Sequence, residues 1–336
     1  MPSPAQKPAL QQTPLDHILA ALESDMDAVN TLILTRMESP VPLIKQLATY
    51  LIAAGGKRVR PLLTLASTAL YSGDMKRAHL LAACVEFIHT ATLLHDDVVD
   101  ESRERRGKES ANVVFGNQAS VLVGDFLFSR AFQLMTEDGS IEVLRILSDA
   151  SATIAEGEVL QLSVAGQIDM PMDTYIQVIT GKTAALFAAA VEVGPVIADA
   201  GSAQQQAMRD FGLNLGIAFQ IADDVLDYRG NQAKIGKTVG DDFREGKLTA
   251  PVLYALQNAS DEERAFWARV MTDKDQQADD LKQALALIDK HDGIGKGLAL
   301  AASYAQKAKY ALTTMPDSPL RAQLSDLVDY MVNRDF

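Results

Sequence analysis

Apolar residues recur at three- and four-residue spacing along almost the whole chain, in long segments rich in alanine and leucine. That spacing matches the helical repeat. It predicts helices over 15–37, 42–53, 61–71, 76–99, 119–135, 141–162, 173–193, 204–227, 249–257, 261–270, 277–290, 295–314 and 318–333. Between them stand "ESPVP", "AGGKRVRP", "YSGD", "EDGS", "DMPMD" and "MPDSP", rich in residues that stop helices and turn chains. Strict alternation, the mark of a half-buried strand, is nearly absent, and "QIDMPMD" is at most a short irregular excursion. No Pro/Ser-rich linker divides the chain, and no fixed repeat of about 20–50 residues is present. The pattern predicts an all-α protein: one large helical bundle of roughly a dozen helices over residues 15–336, preceded by a flexible arm at 1–14.

Composition narrows the class. The chain has 336 residues, 48% of them hydrophobic, enough for a sizeable core. Its net charge of −13 argues against a general nucleic-acid binder and against adhesion to anionic lipid headgroups. Any local basic cluster therefore calls for a specific anionic partner. The single cysteine, Cys84, lies in an apolar helical stretch and reads as an inert buried residue, consistent with a reducing compartment. No uninterrupted apolar run reaches the roughly 18 residues of a membrane span. The nearest, "ALFAAAVEVGPVIADA", carries Glu192 and Pro195. The start, "MPSPAQKPALQQTP", lacks the basic-then-apolar order of a signal peptide, and a cytoplasmic location is the expectation.

The stretch "LLHDDVVDESRERRG" sets Asp96, Asp97 and Asp100 close before Arg103, Arg105 and Arg106. On a helix Asp96 and Asp100 stand one above the other with Asp97 beside them, so their charges repel. Mg²⁺ reverses the sign of that arrangement, because it takes hard oxygen ligands and shares a few carboxylates with substrate phosphates. One such match means little. With 30 aspartates in the chain, chance alone supplies roughly a quarter of a DDxxD match. A second occurs at Asp223, Asp224 and Asp227 in "AFQIADDVLDY", and both lie in apolar helical context rather than on a polar face. Two helices offering carboxylates to a shared cavity is a metal-site design known in helical bundles.

Several cations accompany the acids. Lys57, Arg58 and Arg60 follow Gly55 and Gly56 at a predicted helix junction, a place suited to phosphate, although an ordinary solvated junction reads the same way. Arg105 and Arg106 suit phosphate by their planar fork, and an intramolecular salt bridge is the alternative. His89 precedes Asp96 by two helical turns and is either a ligand contact or a satisfied core residue. His95 points about 100° away from Asp96 and reads as structural. The triplets Gly181-Lys182-Thr183 and Gly236-Lys237-Thr238 are not P-loops, since Ile176 and Asn231 occupy the required glycine positions and no strand precedes them. The segment 229–248, rich in Gly, Lys and Asp, reads equally as a mobile lid or an exposed loop. No Ser-His-Asp set and no zinc spacing stands out. Two carboxylate clusters, scattered cations and an apolar scaffold suit a substrate with a diphosphate head and a greasy body.

"GGKRVRP", "FIHTATLLHDDVVDESRERRG", "ASVLVGDFLFSRAF", "AEGEVLQL", "GKTAALF", "GIAFQIADDVLDY" and "GKTVGDDFREGKLTAPVLYAL" occur in order, and the chain ends in "LVDYMVNRDF". Over about residues 15–336 this resembles the trans-isoprenyl diphosphate synthases, within them the octaprenyl, solanesyl and decaprenyl type. The resemblance implies the isoprenoid synthase fold, a bundle around a central cavity, and a homodimer. It implies addition of isopentenyl diphosphate to an allylic diphosphate by ionisation, condensation and elimination, with three Mg²⁺ per site and a C40–C50 product that supplies a quinone side chain, as in ubiquinone biosynthesis. Asp96, Asp100, Asp223 and Asp227 would hold metal, with Asp97 and Asp224 completing the catalytic motifs. Lys57, Arg60, His89 and Arg106 would hold isopentenyl diphosphate. Arg105, Lys182, Thr183, Gln220 and Lys237 would hold the allylic diphosphate or its surroundings, Lys182 and Lys237 also serving catalysis, with Lys247 a weaker match.

Ala91 and Thr92, small residues about one turn before Asp96, and the two-residue gap within the first motif favour a long product, with a tunnel floor deeper, near Phe132. A short-chain farnesyl or geranylgeranyl synthase is the alternative. A terpene cyclase would pair DDxxD with an Asn/Ser/Glu motif and would not need Lys57, Arg60 and His89. A non-catalytic subunit would lack motif aspartates, and none is missing.

Overall fold

The computed structural model describes residues 12–53, 56–105, 107–229 and 239–333. Helix α1 spans Pro14–Ala21, α2 Glu23–Arg36, α3 Pro42–Ala53, α4 Val59–Leu70 and α5 Met75–Val99. Then come α6 at Ala111–Phe115, α7 at Asn117–Asp138, α8 at Ile141–Ser163, α9 at Met172–Ile179, α10 at Ala185–Ile197 and α11 at Ser202–Arg229. Shorter helices follow at Asp241–Glu245, Ala250–Gln257 and Asp261–Trp267. Three more, Asp280–Lys290, Gly293–Leu312 and Pro319–Asn333, complete the bundle. Among the described residues the only strands are two-residue β1, Glu104–Arg105, and β2, Lys108–Glu109, an antiparallel pair with Arg105 opposite Lys108.

Local chemistry sets the boundaries. Thr13 and Asp16 form a capping box at the start of α1, and Ser260 and Glu263 form another before Asp261–Trp267. Asp74 caps α5 by accepting from the Lys76 amide. Gly139, at φ 75°, ends α7 in the left-handed region that an ordinary side chain resists. The predicted helix 15–37 is two helices that break at Leu22, which leaves helical geometry at φ −124°. The predicted helix 173–193 is interrupted by a π turn, Thr180–Ala184, joining α9 to α10, and a second π turn, Ala268–Thr272, follows Asp261–Trp267.

The core is organised around α10. Every residue from Leu186 to Ile197 is buried, and the helix packs against α4, α5, α8 and α11. A helix apolar on nearly every face, with Glu192 its one charged residue, belongs at the centre. The same composition explains why two helical stretches, Met75–Val99 and Met172–Ile197, are long and apolar enough to cross a membrane; the bundle encloses both, 56% and 72% buried.

Glycines let α11 approach α10 closely. A Cβ at Gly212 would stand 2.6 Å from the Phe187 carbonyl oxygen and 2.8 Å from Ala188 Cα, and one at Gly216 2.6 Å from Ala184 Cα. Alanine in a helix interior is normally worth about 1 kcal/mol over glycine, but overpacking against backbone costs about 1–3 kcal/mol and prevails. Gly212→Ala is therefore expected to lower the urea midpoint without changing the slope of the transition; a midpoint equal to or above the wild type's would contradict the close crossing.

Candidate active site

Both aspartate motifs lie at helix C-termini. Asp96 and Asp97 are in the last turn of α5 and Asp100 is its C-cap, while Asp223, Asp224 and Asp227 occupy the last two turns of α11. A carboxylate there meets the negative end of the helix dipole, so neither placement stabilises its helix. The compensation comes from what surrounds each acid.

In the first motif the middle residue turns inward. Asp97 is 3% exposed, and its Oδ1 accepts from Arg105 Nε at 2.8 Å and from Arg105 Nη2 at 2.6 Å. Its main-chain oxygen accepts from Asn112 Nδ2 and the Ser102 amide, which fixes the chain leading into β1. The intramolecular salt bridge open from sequence is thus formed by Arg105, through Asp97. Asp96, on the neighbouring face, is pushed up to about 7, first by burial and then by the charges of Glu158 and Asp100, with Lys182 and Arg105 opposing. Asp100 accepts from Lys247 Nζ at 3.2 Å.

The second motif repeats the division. Asp224 is buried and accepts from the Tyr175 hydroxyl at 2.6 Å and from Gln220 Nε2 at 2.7 Å. Burial pushes its carboxyl up to about 7, against the pull of these two donors. Asp227 accepts from the amides of Asp241 and Asp242 at 3.1 and 3.0 Å, one on each oxygen, and so caps the helix Asp241–Glu245. Asp242, which the sequence pattern did not single out, is driven well above the usual carboxylate range by burial and by Asp224 and Asp227. Lys247 answers this concentration of charge. Burial works against its ammonium, but Asp100 and Glu245, the latter at 2.5 Å, outweigh that and raise its pKa. One lysine thereby links the end of α5 to the segment that follows α11.

The cations sit on constrained backbone. Lys182 lies in the π turn, a geometry frequent at functional sites, and its Nζ donates to Glu158 Oε2 at 2.9 Å. Gly157 and Gly181 face each other there: a Cβ on Gly157 would be 2.9 Å from Gly181 Cα, and one on Gly181 2.8 Å from Gly157 Cα. Thr183 Oγ1 donates to Gln220 Oε1 at 2.8 Å. At the other junction Arg58, in left-handed conformation at φ 43°, opens α4 and pairs with Glu86 at 3.3 Å. Arg60 Nη1 lies 3.2 Å from His89 Nε2, with its guanidinium 4.4 Å over the Phe187 ring. Lys57 is exposed. Arg58, Glu86, His89, Asp97 and Arg105 line one cavity beside α5, with Met37, Tyr50 and Leu94.

Arg106 and the whole of 230–238, with Lys237 in it, fall outside the described residues. Ala91 has no exposed surface. Thr92 keeps partial exposure and turns its hydroxyl onto the His89 carbonyl. Phe132 is 46% exposed beside Phe128, at the surface of the chain rather than at an internal floor. Of the missed residues Glu158, Tyr175 and Asp242, Tyr175 lies in no motif that stands out in the sequence, and Glu158 sits within the quoted "AEGEVLQL". Asp242, in the acid pair of "GDDFREGK", offered a signal of its own.

Among the described residues no three His, Cys or acidic side chains form a protein-only metal cage. The arrangement still fits Mg²⁺, which keeps waters and shares one or two carboxylates with phosphates. Asp96, only partly exposed among negative neighbours and raised to about 7, is a hard-oxygen donor that a divalent cation would relieve.

The chain matches the polyprenyl synthetase family model over residues 41–288. It is 44% identical over 324 residues to the octaprenyl diphosphate synthase of Escherichia coli (strain K12), covering 96% of this chain and 99% of that enzyme. A solved decaprenyl diphosphate synthase from Rhodobacter capsulatus is similar with a TM-score of 0.91 and 54% identity, over 95% of this chain and 98% of that one. A polyprenyl synthase from Caulobacter crescentus CB15, solved in complex with calcium and isoprenyl diphosphate, gives 0.92 and 49%, over 97% and 99%. The chain belongs to the polyprenyl synthetase family.

Proposed function

We propose that this prenyltransferase adds isopentenyl diphosphate units to an allylic diphosphate until a medium- to long-chain, C40–C50 product is reached. The observation that carries it is that both aspartate-bearing helix ends face Lys247, which donates to Asp100 and whose charge acts on Asp224. Octaprenyl and decaprenyl relatives at 44–54% identity over nearly the whole length favour a long product over a short one. In this reading residues 15–336 are one synthase domain, placed in the cytoplasm and supplying quinone side chains.

Asp96, Asp100, Asp223 and Asp227 would hold the Mg²⁺ ions, three in the family pattern. When bound, those ions supply Lewis-acid stabilisation of the departing pyrophosphate. Lys182, Thr183 and Gln220, with Arg105 held by Asp97 and Lys237 beyond the described residues, bind the allylic diphosphate. Its carbon–oxygen bond breaks and the pyrophosphate leaves with the electron pair. Arg60 and His89, with Lys57 and Arg106, orient isopentenyl diphosphate so that its double bond attacks the allylic cation. A proton then leaves the adduct for pyrophosphate, and no side-chain base is required. The apolar bundle keeps water from the cation.

Purified protein given labelled isopentenyl diphosphate, an allylic primer and Mg²⁺ is expected to yield mainly C40–C50 products, and none with excess chelator. Asp96→Asn and Asp223→Asn are each expected to lower kcat by about 10²–10³ while the fold persists by circular dichroism. A wild type that stops at C15–C20 would favour the short-chain alternative instead.

Chain length gives a second test. Thr92→Phe, at a partly exposed position, and Ala91→Phe, which must push into a closed face, are expected to shift the product ladder to shorter chains. An unchanged ladder in both would remove these residues from length control.

Homodimerisation is supported by large apolar side chains left exposed on α7 and α8, including Leu122 at 67%, Ile141 at 77% and Val159 at 66%. Light scattering is expected to give twice the 36.3 kDa chain mass. A monomer at micromolar concentration would contradict it.

A further inference from the structure

Tyr175 stands on α9, seven residues before Lys182, and is 3% exposed. Its hydroxyl begins a chain of hydrogen bonds that crosses three elements. Tyr175 donates to Asp224 Oδ2 at 2.6 Å, and Gln220 Nε2 donates to Oδ1 of the same carboxylate at 2.7 Å. Thr183 Oγ1 donates in turn to Gln220 Oε1 at 2.8 Å. Thr183 belongs to the π turn that carries Lys182, and Gln220 and Asp224 belong to the end of α11 that carries Asp223 and Asp227. The chain therefore ties a cation-bearing turn to an acid-bearing helix end.

We infer that Tyr175 is a positioning residue for the allylic diphosphate side of the site. This rests on the proposed role of the aspartate motifs. Packing alone does not call for the hydroxyl, since phenylalanine would fill the same space; a buried tyrosine oxygen is tolerated because it has a partner. Removing it leaves Asp224 Oδ2 without its donor in a buried setting, where an unmade bond to a charged group is costly. Asp224 then gains freedom to turn, and Gln220 and Thr183 lose the fixed end of their chain. The consequence falls on Lys182 and on Asp223. Arg60, which lies over the Phe187 ring, and His89, which pairs with it, are not members of the chain.

Tyr175→Phe tests this with a readout that needs no turnover. Binding of pyrophosphate in the presence of Mg²⁺, followed by calorimetry, is expected to weaken about tenfold. The KM for the allylic diphosphate rises with it, while the KM for isopentenyl diphosphate stays within about twofold, a split that general loosening of the bundle would not produce. Thr183→Val is expected to cause a similar loss, and the double variant no more than either alone, because neighbours in one network are not additive. Unchanged pyrophosphate affinity, equal movement of both KM values, or multiplicative losses in the double variant would each overturn the inference. Should Tyr175→Phe fail to melt cooperatively, Asp224→Asn decides, since it weakens the acceptor of the Tyr175 hydroxyl without touching a group placed on the diphosphate, and wild-type pyrophosphate affinity in it overturns the inference. An inactive wild type sinks the proposed function and this inference with it; an active wild type with an unaffected Tyr175→Phe removes this inference alone.

Discussion

Negative charge collected at the negative ends of two core helices is the constraint on which this molecule turns. Two carboxylates about 4 Å apart repel by about 4 kcal/mol at the effective dielectric of a protein surface, and six aspartates are gathered at the ends of α5 and α11, with Asp242 close by. A bundle of modest stability tolerates this only if each acid is answered individually. Arg105 answers Asp97, Tyr175 and Gln220 answer Asp224, two backbone amides answer Asp227 and Lys247 answers Asp100. Asp96 is the least well served, and its carboxyl rises to about 7.

The rest of the fold keeps these answers in place. Helix α10 is buried along its length, and close crossings at Gly212 and Gly216 set α11 against it. Where α8 meets the π turn, Gly157 and Gly181 let the backbones touch, so Lys182 reaches Glu158 from a turn that an ordinary helix would have aimed elsewhere. Packing of small residues thus decides where a cation stands. Apolar patterning, helix crossing and electrostatics are one chain of cause here.

Much of the fold was legible in the sequence because helical periodicity survives burial on one face. The aspartate motifs were legible because they recur in apolar context. What the pattern could not show was backbone geometry that leaves composition unchanged: the break at Leu22, and the π turn inside a segment that reads as one helix from 173 to 193. Nor could it assign faces on α7, where the outward surface is apolar as well. Phe132, expected near a tunnel floor, lies at the surface for that reason. Arg105 was ambiguous between phosphate and salt bridge because both need the same guanidinium. The structure places it on Asp97 and leaves 37% of its side chain exposed, so one contact does not preclude the other.

The spacing of the motifs explains why each carries three acids although the helix presents only two of them on one face. Positions i and i+4 share a face, and i+1 is turned by about 100°. At both sites that third aspartate is the buried one, engaged by fixed donors of its own. A helix end carrying only the outer pair would depend on Lys247 at Asp100 and on the Asp241 and Asp242 amides at Asp227, contacts made from the segment that follows α11 and not from the bundle beside the fraying terminus. The inner aspartate uses the same helix to hold the end still. Its partners, Arg105 on the hairpin and Gln220 beside the π turn, are themselves groups suited to a diphosphate. Fixing the helix end and setting out groups suited to an anion are therefore a single event, and an acid-to-amide change at the inner position would disturb both.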